Sequence, residues 1–197
     1  MRLILSVLLF FGPLVTASVS QKTTPAQSVE MPPQVPMFSA ADLAAKVPAA
    51  KLDDVKSMDA ILGAIYDVIS GPAGDRDWSR FRSVFLPQAR FTEVNKAPDG
   101  SNVVLTWNVD EFVRDAGTVF AKDPFYEKAI VNHAESFGNV TQVFSSYESR
   151  RSPEGKPFER GINSIQLLND GKRWWVVSIL WDAERPDNPL PRKFGKK

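Results

Sequence analysis

The sequence predicts an α+β domain in which helices from the first half of the chain pack on one side of a strongly bent antiparallel sheet of about six strands. Three observations carry this. Residues 126–182 read as four long strands parted by three compact breaks, Phe137-Gly138-Asn139, Ser152-Pro153-Glu154-Gly155 and Asn169-Asp170-Gly171-Lys172. The last holds Asp-Gly between apolar runs, a strong hairpin signal. Ahead of them, apolar residues recur at helical spacing in three segments. The order is helix, helix, short hairpin, helix, long meander, with no internal repeat, which segregates helices from strands.

Composition suits one globular domain with flanking segments: 197 residues, 43% hydrophobic, 11% aromatic and 24% charged. The formal charge is +1 and the basic residues form no stripe, so a nucleic-acid footprint is not expected. Residues 1–20 read as an export leader: Arg2, an apolar run from Leu3 to Val15, then small residues from Thr16 to Ser20. The run contains Gly12-Pro13 and is short for a spanning helix, so no membrane attachment is expected after cleavage. The mature chain is expected outside the cytoplasm, periplasmic or extracellular. The absence of cysteine excludes disulfides and thiol catalysis.

Residues 21–52 are rich in Pro, Ala and Ser and read as a tether, with a short helix expected over Met37 to Lys46. The domain proper is expected over 53–184, and 185–197 as a solvated basic tail. The first firm helix should start with Asp53 or Asp54 as N-cap. It then buries Val55, Met58, Ile61, Leu62, Ile65, Val68 and Ile69, points Tyr66 inward, and stops at Gly71-Pro72. Asp77 should cap a second helix carrying Trp78, Phe81, Val84 and Phe85, stopped by Pro87. Ala89 to Val94 reads as a strand with Phe91 and Glu93 on one face. Pro98-Asp99-Gly100 turns it into a return strand, Asn102 to Trp107. Asn108 should cap the third helix, with Glu111 reaching back.

Centring the last turn on Asp170-Gly171 pairs Leu167 with Trp174, Ile165 with Val176 and Asn163 with Ser178 on one face. The other face then carries Gln166 with Trp175, Ser164 with Val177, Ile162 with Ile179 and Arg160 with Trp181. Both faces are substantially apolar, so both should be covered. The chain's helices would cover one, and a second copy, in a homodimer, the outer one.

The Ile65-Tyr66-Asp67 helix, Asp77-Trp78 leading to Phe85, Ala89-Arg90-Phe91-Thr92-Glu93 and the Gly161 to Trp181 hairpin resemble the nuclear transport factor 2-like superfamily. This cone-shaped fold includes the SnoaL-like and ketosteroid-isomerase-like domains. Phe137-Gly138-Asn139-Val140 through Ser146-Tyr147-Glu148-Ser149, with Arg160-Gly161-Ile162-Asn163, is similar to bacterial secreted members of unassigned activity. The resemblance implies a pocket between helices and sheet. In ketosteroid isomerase that pocket holds a carboxylate base, a tyrosine donor and a protonated acid. Counted without gaps from Phe85, the base falls on Glu93. The tyrosine falls near Tyr66, after an insertion around Gly71 to Asp75. The second acid, counted back from Trp181, falls on Ser164, a departure from the enolate machinery.

The candidate site residues are therefore Glu93 as general base and Tyr66 as donor, with Trp107, Ser164, Trp175 and Trp181 as pocket residues. Each has a plainer alternative: an ion pair with Arg80, Arg82 or Arg90 for Glu93, a core tether for Tyr66, and core packing for the tryptophans. His133 is the sole histidine and falls mid-strand. With one His and no Cys, no metal site is expected, and no cofactor motif appears. Arg150, Arg151 and Arg160 flank the 152–155 turn and read as a solvated hairpin tip. The expected function is a secreted module that binds a small apolar or amphipathic molecule, or dimerises. The alternative is a cofactor-independent lyase or isomerase acting on an apolar carbonyl compound.

Overall fold

The computed structural model describes residues 37–195; the expected export leader and most of the expected tether lie outside the described residues. A short helix α1 (Ala40–Ala44), capped by Ser39, falls within the expected span. The first long helix is split. α2 (Leu52–Val55) is a single turn, and α3 (Met58–Ile69) restarts after Ser57, whose hydroxyl accepts from the Ala60 N–H. Neither Asp53 nor Asp54 caps α3. Asp54 is instead buried and receives two parallel hydrogen bonds from Arg80 of α4 (Trp78–Val84), both 2.8 Å. Arg80 also reaches Asp67 of α3 at 2.5 Å. One guanidinium thus holds three helices together, and its hydrogen bonds lower the Asp54 pKa.

That pair gives a first prediction. Arg80→Met should cost about 3 kcal/mol in urea denaturation at pH 7, because it strands a buried carboxylate. Adding Asp54→Leu should restore most of the loss. Since the folded-state pKa of Asp54 lies below its unfolded value, the pair's contribution is present at neutral pH. It fades as pH falls below the usual carboxylate range.

Strand β1 (Phe85–Lys96) begins directly after α4, earlier than expected, and runs through Pro87. The proline is tolerated because the pairing of β1 shifts between Phe85 and Arg90. β2 (Asn102–Asn108) returns antiparallel, and α5 (Val109–Phe120) starts at Asn108 with the reciprocal Asn108–Glu111 cap. The meander follows as β3 (Tyr126–Phe137), β4 (Val140–Arg150), β5 (Pro157–Asn169) and β6 (Trp174–Ala183). The six-stranded sheet has the order β2-β1-β6-β5-β4-β3. All neighbours are antiparallel except β1 and β6, which run parallel, so the sheet is mixed. The core lies between α3, α4 and α5 and the sheet face they cover, centred on Ile61, Phe81, Val84, Val143, Ile165 and Val176.

The last hairpin has a different register from the expected one. Its loop spans Asp170 to Arg173, with Asn169 opposite Trp174. The Asp170 carboxylate accepts from the Lys172 and Arg173 N–H groups, and Gly171 takes φ +88°. A further shift between Gln166 and Leu167 leaves Ile165 opposite Ile179, Asn163 opposite Trp181 and Ser164 opposite Leu180. The longer loop moves the pairing by two residues and leaves the faces unchanged; the one-residue shift then brings Ile179 and Trp181 onto the face of Ile165 and Asn163.

The expected basic tail docks in part, whereas the hairpin tip is exposed as expected over 151–154 and 156–160. The segment around Phe194 lies on the outer sheet face, where Phe194 packs edge-on against His133 and Phe144, and Ser146 donates to the Phe194 carbonyl at 2.7 Å. Arg150 is bound by Glu148 and by the Gly155 carbonyl, while Arg160 pairs with Glu184.

Candidate functional site

A cavity of about 350 Å³ opens between the helices and the inner sheet face. Its apolar wall is aromatic. Phe81, Phe91 and Phe112 stack in near-parallel fashion, with Phe91 and Phe112 centred 4.4 Å apart. Phe120 stacks on Phe125 at 4.9 Å on another side. These rings come from α4, β1, α5 and the α5–β3 connection, which converge because each element turns its apolar stripe toward one core.

The rest of the lining is polar, and strand register explains it. Side chains alternate faces, so residues paired across neighbouring strands form rows on one face. One row runs Asn132, Ser145, Asn163, Trp181, Glu93 across β3, β4, β5, β6 and β1. A second runs Glu127, Ser149, Glu159 across β3, β4 and β5. Between them lie Ala129, Tyr147 and Gly161. The cavity therefore receives Glu93, Glu127, Glu159, Tyr147 and Asn163.

Gly161 lets Tyr147 lie across the sheet. A Cβ at that position would stand 2.6 Å from the Tyr147 hydroxyl and 2.5 Å from the Asp182 carbonyl oxygen. The Tyr147 hydroxyl donates to Glu159 Oε1 at 3.0 Å, and the Ser149 hydroxyl donates to Glu127 Oε2 at 2.8 Å. Glu127 is anchored through its backbone: its N–H donates to Ser70 Oγ at 2.9 Å, and Ser70 donates to the Tyr66 carbonyl.

Burial pushes the Glu127 carboxyl up to about 7, with repulsion from Glu159 adding to it and hydrogen bonds from Ser149 and Asn163 opposing it. Glu93 is raised as well, first by burial. Tyr147 is raised by burial and by the surrounding carboxylates. A carboxyl that titrates near neutrality can give or take a proton there, and the polar end as a whole has a strong negative bias.

The predicted residues divide clearly. Glu93 and Trp181 line the cavity. Trp107 stacks on Trp181 at 5.9 Å and donates its indole N–H to Asp115, so it backs the wall. The Tyr66 hydroxyl is buried between Ser145, at 2.5 Å, and the Asn163 amide, at 3.2 Å, and Tyr66 is not part of the lining. Tyr66 instead borders a shallower outer groove of about 600 Å³ between α3 and β3, which Glu127 also touches. Ser164 lies on the outer face opposite Leu180, where it accepts from the Gln142 amide, because the one-residue shift in β6 moves Ile179 and Trp181 to the inner face and leaves Ser164 outside. Trp175 is fully buried and donates to Asp170, with the Arg173 guanidinium over its ring. It is a core residue of the hairpin end.

Glu127, Tyr147, Glu159 and Asn163 are the site residues that the sequence reading missed. The Ser152 to Gly155 turn alone does not signal them: it pairs Arg150 with Pro157, and a shift between Arg150 and Ser149 then sets Ser149 opposite Glu159. Among the described residues, no group of His, Asp and Glu is arranged to hold a metal ion.

No protein-family model and no curated protein matches the sequence. Solved structures do match in fold. A protein of unknown function with a cystatin-like fold from Nostoc punctiforme aligns at TM-score 0.51 and 8% identity, covering 74% of this chain and 100% of that one. An uncharacterized protein with a cystatin-like fold from Caulobacter vibrioides aligns at TM-score 0.50 and 14% identity, covering 67% and 90%. An NTF-2 like protein of unknown function from Silicibacter pomeroyi aligns at TM-score 0.46 and 12% identity, covering 66% and 94%. The chain has a cystatin-like fold, carried by the first two of these structures, and the likenesses extend to the fold alone.

Proposed function

We propose that this nuclear transport factor 2-like domain is an exported small-molecule-binding module whose ligand occupies the cavity between helices and sheet. The observation that carries the reading is the cavity itself: about 350 Å³, aromatic on its helix side and polar at its far strands. Small-ligand sites have this make-up, a largely apolar concavity with a few converging polar groups. Export is supported by the apolar residues 3–15 and the small residues after them.

The test is a cavity block. Ala116 lines the cavity from α5. Ala116→Phe should lower the affinity for any cavity ligand at least tenfold, about 1.4 kcal/mol. Quenching of Trp181 fluorescence supplies the readout, and Trp181→Phe assigns the signal. Unchanged affinity in Ala116→Phe would remove the ligand from this cavity.

A second reading is favoured by one observation, the near-neutral Glu127 carboxyl. It is a cofactor-independent lyase or isomerase acting on an apolar carbonyl compound, with Glu93 as the base. The hydrogen-bonding groups at hand would be Glu127 and Tyr147, since the Tyr66 hydroxyl is held by Ser145 and Asn163. Discrete products from a carbonyl-compound library, lost in Glu93→Gln, would favour turnover over binding. Homodimerisation through the outer sheet face stays part of the proposal. It is supported by Phe144 and Leu180, each 45% exposed beside the C-terminal segment.

A further inference from the structure

The balance of charge at the cavity is one-sided. Glu93, Glu127 and Glu159 all face it, and among the described residues no Lys or Arg lines it. Nor does any described cation pair with these three carboxylates. Lys128 and Arg150 go to Glu148, Arg160 to Glu184, and Arg80 to Asp54 and Asp67. The groups that do reach the carboxylates are neutral: the Ser149 hydroxyl on Glu127 and the Tyr147 hydroxyl on Glu159. Glu93 and Glu127 are half-buried and Glu159 is exposed; carboxylates grouped around one concavity repel one another and focus a negative potential into it. Burial and the Glu159 charge raise both Glu93 and Glu127, the mark of a site short of positive charge. The facing wall is built of aromatic rings, including Phe81, Phe91, Phe112 and Trp181, whose π faces also attract cations.

We infer that the cavity selects an organic cation, a lipophilic amine whose ammonium lies at the carboxylate-lined end and whose hydrocarbon body lies among the aromatic rings. The inference rests on the binding reading above and names the ligand class of that site. A hydrated inorganic ion would leave the aromatic wall unused. An acid of the same shape would meet three like charges, and a neutral alcohol would leave the carboxylates uncompensated.

The experiment compares 2-phenylethylamine, 2-phenylethanol and 3-phenylpropionate, by calorimetry and Trp181 quenching, on the full chain and on the Glu93→Gln/Glu127→Gln variant. The variant's circular dichroism and melting curve serve as the folding control. The amine should bind at least tenfold more tightly than the alcohol, with no binding of the acid. The preference should shrink to threefold or less in the double variant, while alcohol affinity holds or improves. Equal affinity for amine and alcohol, both lost in Ala116→Phe, would overturn the cation inference and leave the binding module standing. An amine preference that persists in the double variant would place the cation elsewhere and overturn it too. Failure of all three probes to bind at millimolar concentration would overturn both readings together.

Discussion

Glu127→Gln should melt about 5–10 °C higher than the parent at pH 8, and the difference should close as the pH falls toward 4.5. The folded-state carboxyl is raised to about 7 from an ordinary value of 4.5. Below the ordinary value both folded and unfolded chains carry the neutral acid, and Glu127 contributes no difference. Between the two values the unfolded chain ionises while the folded chain holds its proton. Stability therefore declines with rising pH and levels off above the folded value. The full span is on the order of 3 kcal/mol, at about 1.4 kcal/mol per pKa unit. For a domain of this size that is several degrees of melting temperature. Glutamine keeps the shape and the bond with Ser149 and removes the ionisation. Glu93→Gln should move the same way, since its pKa is also raised. Differential scanning calorimetry from pH 4 to 9 checks both. A Glu127→Gln variant that is no more stable at pH 8 would show that the carboxylate is solvated. The negative bias assigned to the cavity would then be much weaker.

Gly161→Ala should destabilise the fold by about 3 kcal/mol, toward the upper end of what overpacking costs. The new methyl would stand 2.5 Å from the Asp182 carbonyl oxygen and 2.6 and 2.8 Å from atoms of Tyr147. The tyrosine ring could swing, but the carbonyl belongs to the β6 backbone, so the β5–β6 pairing must open locally. Urea denaturation gives the stability. The variant should also lose the Tyr147–Glu159 hydrogen bond, so Tyr147→Phe should show what that bond alone contributes, about 1 kcal/mol. If Gly161→Ala proves near neutral, Tyr147 is not pressed against the strand and the geometry at the cavity floor is looser than described.

Much of the architecture was legible because turns and caps are local. Asp77, Asn108 with Glu111, and the apolar spacing of Ile61, Leu62, Ile65 and Val68 act within one or two helical turns, and each does what its spacing implies. Asp54 misled because a capping residue and a buried ion-pair partner look alike until Arg80, 26 residues away, is placed. Site residues were legible in part. Glu93 came from the gap-free count from Phe85 and does line the cavity, as does Trp181, although Trp181 pairs with Asn163 and not with Arg160. Ser164 was placed by counting back from Trp181, and the one-residue shift puts Trp181 on the other face, opposite Asn163, while Trp175 lies before that shift and is buried at the hairpin end. Glu127 and Glu159 lie on strands joined only through β4, so no short window of sequence brings them together.

The strand order carries a consequence for how the molecule is made. β6, the last strand in the chain, sits between β1 and β5. Until it is in place, the hairpin of β1 and β2 has no neighbour in the sheet, and the meander ends in an open edge at β5. The two halves of the sheet are joined only once β6 has been made, by contacts spanning about ninety residues between Phe91 and Ile179. Contacts so distant in sequence favour slow assembly, and unpaired edges invite association with other chains in the meantime. A nascent chain of this topology keeps both of these sheet edges open until β6 emerges to close them.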